Sequence, residues 1–284
     1  MLTIQMPGVE NYELIDSGEQ SKLERFGMYT VARPDPNALW DKRFPALWKE
    51  ADAVFHAQKK KDGKHWDNKN INEQWLFSYE NVVMELHLTP FKHTGIFPEQ
   101  IANWVWMKEK LAGYTTPRVL NLFGYTGGAT LFCASHGAQV THVDASHPSV
   151  TWARKNQELS SLAQAPIRWI VDDAEKFVAR EIRRGATYDA VILDPPSFGR
   201  DPKGRVFKFE YDVPRLLSLV KRVLSEKPAF VLLNSYATGF SSLVLANMCA
   251  DVFVSGTTEY GELTIPEKSG RLLPCGIVAQ TTFS

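Results

Sequence analysis

An α/β fold with a mostly parallel sheet and helices on both faces is predicted by three observations. Between residues 118 and 235, short apolar segments alternate with longer segments of helical composition. The first apolar segment runs straight into Gly124-Tyr125-Thr126-Gly127-Gly128, a glycine turn. The next three end at Asp144, at Asp172-Asp173 and at Asp194. Alternation of this length implies crossover connections and a sheet covered on both sides. Acidic groups at successive strand ends serve folding poorly, because each costs desolvation unless something binds it.

Residues 1–90 lack this rhythm and read as a small β-rich N-terminal domain. Strands are expected at 29–33, 73–79 and 81–88, separated by loops with Pro34, Pro36 and the polar stretch 59–70. The region is rich in rings: Trp40, Trp48, Phe55, Trp66, Trp75, Phe77 and Tyr79. Such rings can stack nucleobases, but packing a small β domain against its neighbour is their commoner use. Residues 91–284 form the second domain. A helix with Trp104 and Trp106 leads into the strand 118–123, and the helix 129–135 follows the glycine turn, with Gly137 placed as its C′ residue. Strands at 139–143, 167–171, 188–193 and 229–233 then alternate with helices at 148–159, 174–184 and 213–225, the last after Asp212. The fifth strand ends at Asn234-Ser235-Tyr236.

The strand ends carry the chemistry. A strand, glycine turn and helix let the backbone approach a ligand closely, with helix N–H groups facing it. Asp144, twenty positions after Gly124 at the end of the second strand, is placed for ribose hydroxyls. Pro195 and Pro196 stop the fourth strand, and Pro195 pushes Asp194 into an extended conformation at the sheet edge. A planar acceptor can stack on Phe198 while Asp194 accepts a hydrogen bond from its polar edge. A dinucleotide fingerprint needs G-x-G-x-x-G, and G-Y-T-G-G misses that spacing. The turn suits a ligand without phosphates, and the acids suit an adenosine with a sulfonium cation. S-adenosylmethionine is favoured over NAD.

Three motifs carry a resemblance. Asn121 through Gly128, Val143-Asp144-Ala145-Ser146 and Asp194-Pro195-Pro196-Ser197-Phe198 resemble the class I S-adenosylmethionine-dependent methyltransferases of bacteria. More narrowly, they are similar to the group holding the large-subunit ribosomal RNA base methyltransferases. Lys92 through Gln100 is similar to that group's K-T-G-x-F-x-D-Q segment, which in the family packs over the cofactor. The resemblance spans roughly residues 85–282. It implies a Rossmann-like domain with a mostly parallel seven-stranded sheet. The stretches Tyr12 to Gly18 and Leu23 to Gly27 look like a subgroup of uncharacterised bacterial relatives. Two departures bear on substrate. His93 stands where most relatives have the lysine of K-T-G, and Ile101 where many have arginine. The cytosine-C5 member resembled here has a cysteine in the strand-five motif, where this chain has Asn234-Ser235-Tyr236. Members without that cysteine methylate a ring nitrogen by direct transfer. No PUA-type RNA-binding domain is recognisable at the front.

The expected cofactor residues are Thr94, Phe97, Asn121, Phe123, Gly124, Tyr125, Thr126, Gly127, Asp144, Ala145, Ser146, Asp172, Asp173, Ala174 and Asp194. The expected catalytic group is Asp194, Pro195, Pro196, Phe198, Asn234 and Tyr236. In these roles the glycine turn wraps the methionine part, Asp144 holds the ribose, and Asp172 to Ala174 meet the adenine. Asp194 orients the acceptor, Phe198 stacks on it, and Asn234 and Tyr236 frame the far wall.

Formal charge balances, with 32 basic and 32 acidic residues and a pI near 7.1. A strongly basic protein would favour nucleic acid, so RNA as partner depends on local patches. Candidates are Lys59-Lys60-Lys61 with Lys64, Arg180 with Arg183 and Arg184, and Lys203, Arg205 and Lys208; such a cluster is more often just a solvated face. Cys133, Cys249 and Cys275 have no metal-ligand spacing and suit a reducing cytoplasm. No signal peptide or membrane-length apolar run is expected. Oligomeric state is open, a homodimer included. Methylation of a small molecule or protein, and RNA binding without catalysis, are the competing functions.

Overall fold

The computed structural model describes residues 1–56, 65–71, 74–196, 198–200, 206–237 and 239–283. After strand β1 (Leu2–Gln5), a meander of β2 (Tyr12–Gly18), β3 (Ser21–Phe26) and β4 (Tyr29–Pro34) begins a front sheet. The one-turn helix α1 (Pro45–Trp48), β5 (Ala53–Phe55) and β6 (Trp66–Asn68) complete it, in the order β2-β3-β4-β5-β6. A hairpin of β7 (Trp75–Tyr79) and β8 (Val82–Leu86) follows, then helix α2 (Ile101–Leu111). The α/β repeat runs β9 (Arg118–Leu122), α3 (Gly128–Ser135), β10 (Gln139–Asp144), α4 (His147–Leu159), β11 (Ile167–Val171), α5 (Ala174–Arg184) and β12 (Ala190–Leu193). A short ribbon, β13 (Phe198–Arg200) and β14 (Val206–Lys208), precedes α6 (Phe209–Val220), β15 (Phe230–Ser235) and α7 (Ser242–Val252). Two long strands, β16 (Gly256–Pro266) and β17 (Leu272–Phe283), close the chain.

Among the described residues the main sheet has eight strands, ordered β1-β16-β17-β15-β12-β9-β10-β11. The seven-stranded expectation is thus corrected by one strand: β1, from the N-terminus, pairs in parallel with β16. All neighbours run parallel except β17, which is antiparallel to both β15 and β16. The central strands bury both faces, which explains their continuous apolar runs. Val119, Ile192 and Leu232 point to the side packed by α2 and α3. Leu120, Leu122, Val191, Leu193 and Leu233 point to the side packed by α5, α6 and α7. Helix α6 starts one turn earlier than residue 213, because the Asp212 carboxylate does not cap the following turn. Its Oδ2 reaches back to accept from the Lys208 amide at 2.7 Å.

The pieces from the front of the chain are tied to this core by buried polar bonds. Asn156 of α4 accepts from the Glu85 amide at 2.9 Å, and Trp152 donates to the Glu85 carbonyl at 3.0 Å. Ser160, the C-cap of the same helix, both accepts from and donates to Val83. These side chains satisfy an outer edge of β8 that no strand covers. The front sheet is pinned to the β16–β17 turn. Asp16 accepts from the amides of Arg43 and Phe44 and from the Trp48 indole. Arg271 donates to Glu267 at 3.0 Å and to the Ser17 carbonyl at 2.6 Å, while the Ser17 hydroxyl bonds Glu267. Trp40 also donates to Ser17, at 2.9 Å, and Trp66 donates to Thr89. Trp75 is buried. These rings pack the front sheet and are not free platforms. Among the described residues, no helix is long and apolar enough to cross a membrane.

Removing Arg271 would leave Asp16 and Glu267, both buried, without their cation. Arg271→Met is expected to destabilise the fold by about 3 kcal/mol, read by urea denaturation. A change below about 0.5 kcal/mol would show that the network is not what holds the front sheet.

Candidate active site

The turn leaving β9 is strained and over-determined. Gly127, the N-cap of α3, has φ 89°, and Phe123 and Tyr125 are held at φ 61° and 49°. Non-glycine residues enter that left-handed region at a cost of about 1–2 kcal/mol each. The surroundings impose it. The Tyr125 amide donates to Asp144 Oδ2 at 2.9 Å and the Gly124 amide to the Val143 carbonyl at 3.1 Å. The Thr126 hydroxyl donates to the Gly95 carbonyl at 2.6 Å, and Asn156 donates to the Thr126 carbonyl at 3.0 Å. Gly124 lies so close to His142 that a Cβ would come within 2.3 Å of the ring.

The acidic strand ends differ in how they are used. Asp144 accepts from the amides of Tyr125 and of Ser146, the latter at 2.8 Å. Burial pushes its carboxyl up, against those two amides, which favour the charged form. One carboxylate oxygen of Asp172 accepts from the Asp173 amide at 2.8 Å, and the group is ion-paired with Arg180. Asp173 caps α5, accepting from the Lys176 amide at 2.9 Å. Asp194 has no such ties. Its Oδ1 is buried and has no hydrogen-bond partner, and burial, assisted by the charge of Glu99, raises its pKa to about 7. Glu99 itself is 3 % exposed, with Oε2 unpartnered, and burial raises it too.

A network stands behind these two acids. Gln100 donates to the Tyr236 hydroxyl at 2.8 Å, Asn103 donates to Asn234 at 2.9 Å, and Gln280 donates to Asn103 at 3.0 Å. Phe97 lies against Tyr125 and Tyr236, with ring centroids 5.8 and 5.5 Å away. On the other side Phe207 of β14 meets Phe123 edge-on at 5.7 Å.

These groups surround a cleft of about 890 Å³ between the strand ends and the front sheet. The structure brings Phe97, Phe123, Tyr125, Asp144, Ala145, Ser146, Asp172, Asp173, Ala174, Asp194, Pro195, Pro196 and Tyr236 to its walls. Asn121, Gly124, Thr126 and Asn234 instead line a cavity of about 60 Å³ behind the turn, into which Asp194 also opens. Thr94 is fully buried, and Gly127 sits in the helix cap. Ser197, Lys59 to Lys61, Lys64, Lys203, Arg205 and the Phe198 side chain lie outside the described residues. Of the remaining basic candidates, Arg180 is paired with Asp172 and Arg184 with Glu181.

Sequence reasoning passed over several wall residues. Glu99 was visible only as the acid of the K-T-G-like segment, and Phe207 only as an aromatic in a polar loop. Lys22, Arg33, Asp35 and Lys92 enter from the front sheet and the loop beside it. Nothing local signals that those strands fold over a site 100 residues on. Cys275 also lines the cleft, and burial pushes it well above its usual range.

Acidic strand ends around a cleft, with a glycine turn that offers neither lysine nor arginine, define a Rossmann-like protein for a nucleoside-type cofactor. A family model described as S-adenosylmethionine-dependent methyltransferase matches residues 49–251, and the chain belongs to that family. A solved S-adenosylmethionine-dependent methyltransferase from Agrobacterium tumefaciens is 37 % identical, with a TM-score of 0.93 covering 100 % of this chain and 94 % of that one. A structure described as a methyltransferase complexed with S-adenosylhomocysteine is 20 % identical (TM-score 0.73, 97 % of this chain, 76 % of that one), a likeness of fold. Among curated proteins, the ribosomal RNA large subunit methyltransferase K/L of Shewanella sp. (strain MR-4) is 30 % identical over 154 residues. That stretch is 53 % of this chain and 21 % of that protein. The same-named protein of Alteromonas mediterranea is 28 % identical over 224 residues, 77 % of this chain and 30 % of that protein. The chain therefore spans under a third of these curated relatives. It is an S-adenosylmethionine-dependent methyltransferase, and S-adenosylmethionine is its cofactor. The cleft fits that molecule: the buried, unpartnered Asp194 oxygen suits a sulfonium cation, and Asp144 keeps accepting capacity for hydroxyls.

The raised Asp194 pKa fixes a stability profile. The folded value, about 7, lies above the ordinary 3.8, so the fold favours the protonated form. That contribution is complete below about pH 4 and is lost as pH rises through about 7. Asp194→Asn is therefore expected to match the parent near pH 4 and exceed it at pH 8, by at most about 4 kcal/mol. Urea denaturation at both pH values measures this. A variant less stable than the parent at pH 8 would mean that Asp194 is stably ionised.

Proposed function

We propose that the chain methylates a nitrogen of an RNA base, by direct transfer and without a covalent protein intermediate. The observation that carries this reading is the Asp194 carboxyl, buried, partnerless and poised near neutrality at the end of β12. The names of the K/L relatives supply RNA as the substrate class. Three free thiols, none in a disulfide, suit the cytoplasm.

Bound S-adenosylmethionine supplies a methyl group on a sulfonium cation. Asp144 holds the ribose hydroxyls, with Ala145 and Ser146 beside the adenine and Ala174 at its edge. Asp172 and Asp173 shape that edge through the backbone, since their carboxylates are engaged with Arg180, the Asp173 amide and the α5 cap. Phe97 and Tyr125 close over the middle of the cofactor. Asp194 accepts a hydrogen bond from the acceptor N–H and takes its proton as the nitrogen becomes methylated. A carboxyl near neutrality suits this, because it can hold the proton and release it afterwards. Burial chiefly, and the neighbouring Glu99 carboxyl after it, raise the basicity of Asp194. Asn234 and Tyr236 position Gln100 and the floor below. Phe207 offers a ring for stacking from the side of β14.

Incubation with methyl-labelled cofactor and RNA from cells lacking this gene should label RNA, and nucleoside digestion should return an N-methylated base. Label confined to protein or small molecules would overturn the RNA reading. Cys275 is the thiol on the cleft wall, so Cys275→Ser separates direct from covalent transfer. Turnover within about threefold of the parent is expected. A loss of roughly 10³-fold would place a covalent step on that sulfur.

A further inference from the structure

The charges around the cleft are segregated. The strand-end wall is acidic and aromatic, with Asp144, Asp172, Asp194 and Glu99. The opposite wall, from the front sheet and the loop after β8, carries Lys22, Arg33 and Lys92. Two of these cations are engaged. Arg33 is bonded to Glu24 at 2.7 and 2.9 Å, and Lys22 lies 3.7 Å from Glu24 and 3.4 Å from Asp35. The third is not directly paired: among the described residues the Lys92 ammonium has neither a hydrogen bond nor an ion pair, and Asp35 and Glu24 act on it only through space. Its backbone carbonyl accepts from Arg33 at 3.0 Å, which fixes residue 92 to the front sheet.

Lys22 and Arg33 are thus paired with carboxylates of this wall and face Glu99 across the cleft, whereas Lys92 is in no ion pair among the described residues. The field is felt by its neighbours. Burial, with Arg33, Lys92 and Lys22, pushes His93 down to about 4, and burial with Lys22 and Arg33 lowers Lys92 itself against the opposing pull of Asp35 and Glu24. A half-buried ammonium under such pressure is relieved by an anion.

We propose that this wall is a phosphate subsite, with Lys92 as the direct ligand and Lys22 and Arg33 as fixed charges behind it. The acceptor is then a phosphate-bearing nucleotide, and a free base or nucleoside is discriminated against. This rests on the reading of an RNA-base acceptor and adds the part of the strand that the protein grips. The front sheet thereby acquires a function of its own, since it supplies the wall opposite the cofactor.

The test titrates the full chain, saturated with S-adenosylhomocysteine at low salt, with the four nucleoside 5′-monophosphates and the four nucleosides. At least one monophosphate should bind about tenfold or more tightly than its nucleoside. Lys92→Gln should abolish that advantage and Lys92→Arg should retain most of it. Affinity for S-adenosylhomocysteine, staying within about twofold in both variants, reports that the fold and cofactor half are intact. Equal binding of monophosphate and nucleoside, no binding of either, or an advantage that survives Lys92→Gln would overturn the proposal. A phosphate advantage in a protein that transfers no methyl to RNA would leave the subsite standing and refute the RNA reading. RNA methylation unaffected by Lys92→Gln would do the reverse.

Discussion

The hydrogen bond from the Tyr125 amide to the Asp144 carboxylate is the constraint on which the site depends. It joins the ends of β9 and β10 and holds Tyr125 at φ 49°, a conformation the residue would not adopt alone. With the Ser146 amide on the other oxygen, the carboxylate is fixed in position, and the two amides offset part of its desolvation cost. Thr126 then reaches Gly95 and Asn156 reaches Thr126, so the segment bearing Phe97 and Glu99 inherits its place from the same turn. The strain is offset by bonds on three sides, and the cleft is built before any ligand arrives.

The four acids at strand ends thus have different work. Asp172 and Asp173 are engaged by Arg180 and by a helix cap, Asp144 by two amides, and only Asp194 keeps a buried, unpartnered oxygen. This ranking separates architecture from chemistry better than proximity does. The front sheet adds the complementary half. Its buried Arg33–Glu24 pair and the Lys22–Asp35 contact place cations across the cleft from those acids, and the Arg271–Glu267–Asp16 cluster holds the sheet at that distance.

Much of the α/β unit was legible in the sequence. Strands buried on both faces write continuous apolar runs, and the glycine turn, Asp144 and the double proline after Asp194 mark their ends. The last hairpin was not legible. β16 reads Thr257-Thr258-Glu259 before its apolar part, because only one side of that stretch faces the core. β1 carries no sign of its partner 259 residues away, since register across such a distance leaves no local trace. The strand-end wall of the cleft was legible for the same reason as the strands. The wall from the front sheet was not, because Lys22, Arg33 and Lys92 are ordinary charges in short strands and loops until the front sheet folds over the strand ends. Asn121 and Asn234 were read into the site from its motifs, and they stand one layer behind its surface.

A crystal structure with S-adenosylhomocysteine bound tests the central claim most directly. Both ribose hydroxyls are expected within hydrogen-bond distance of the Asp144 carboxylate, the sulfur facing Asp194, and the turn at residues 123–127 unchanged. A ribose held elsewhere, or a turn that must rearrange to admit the ligand, would contradict the account.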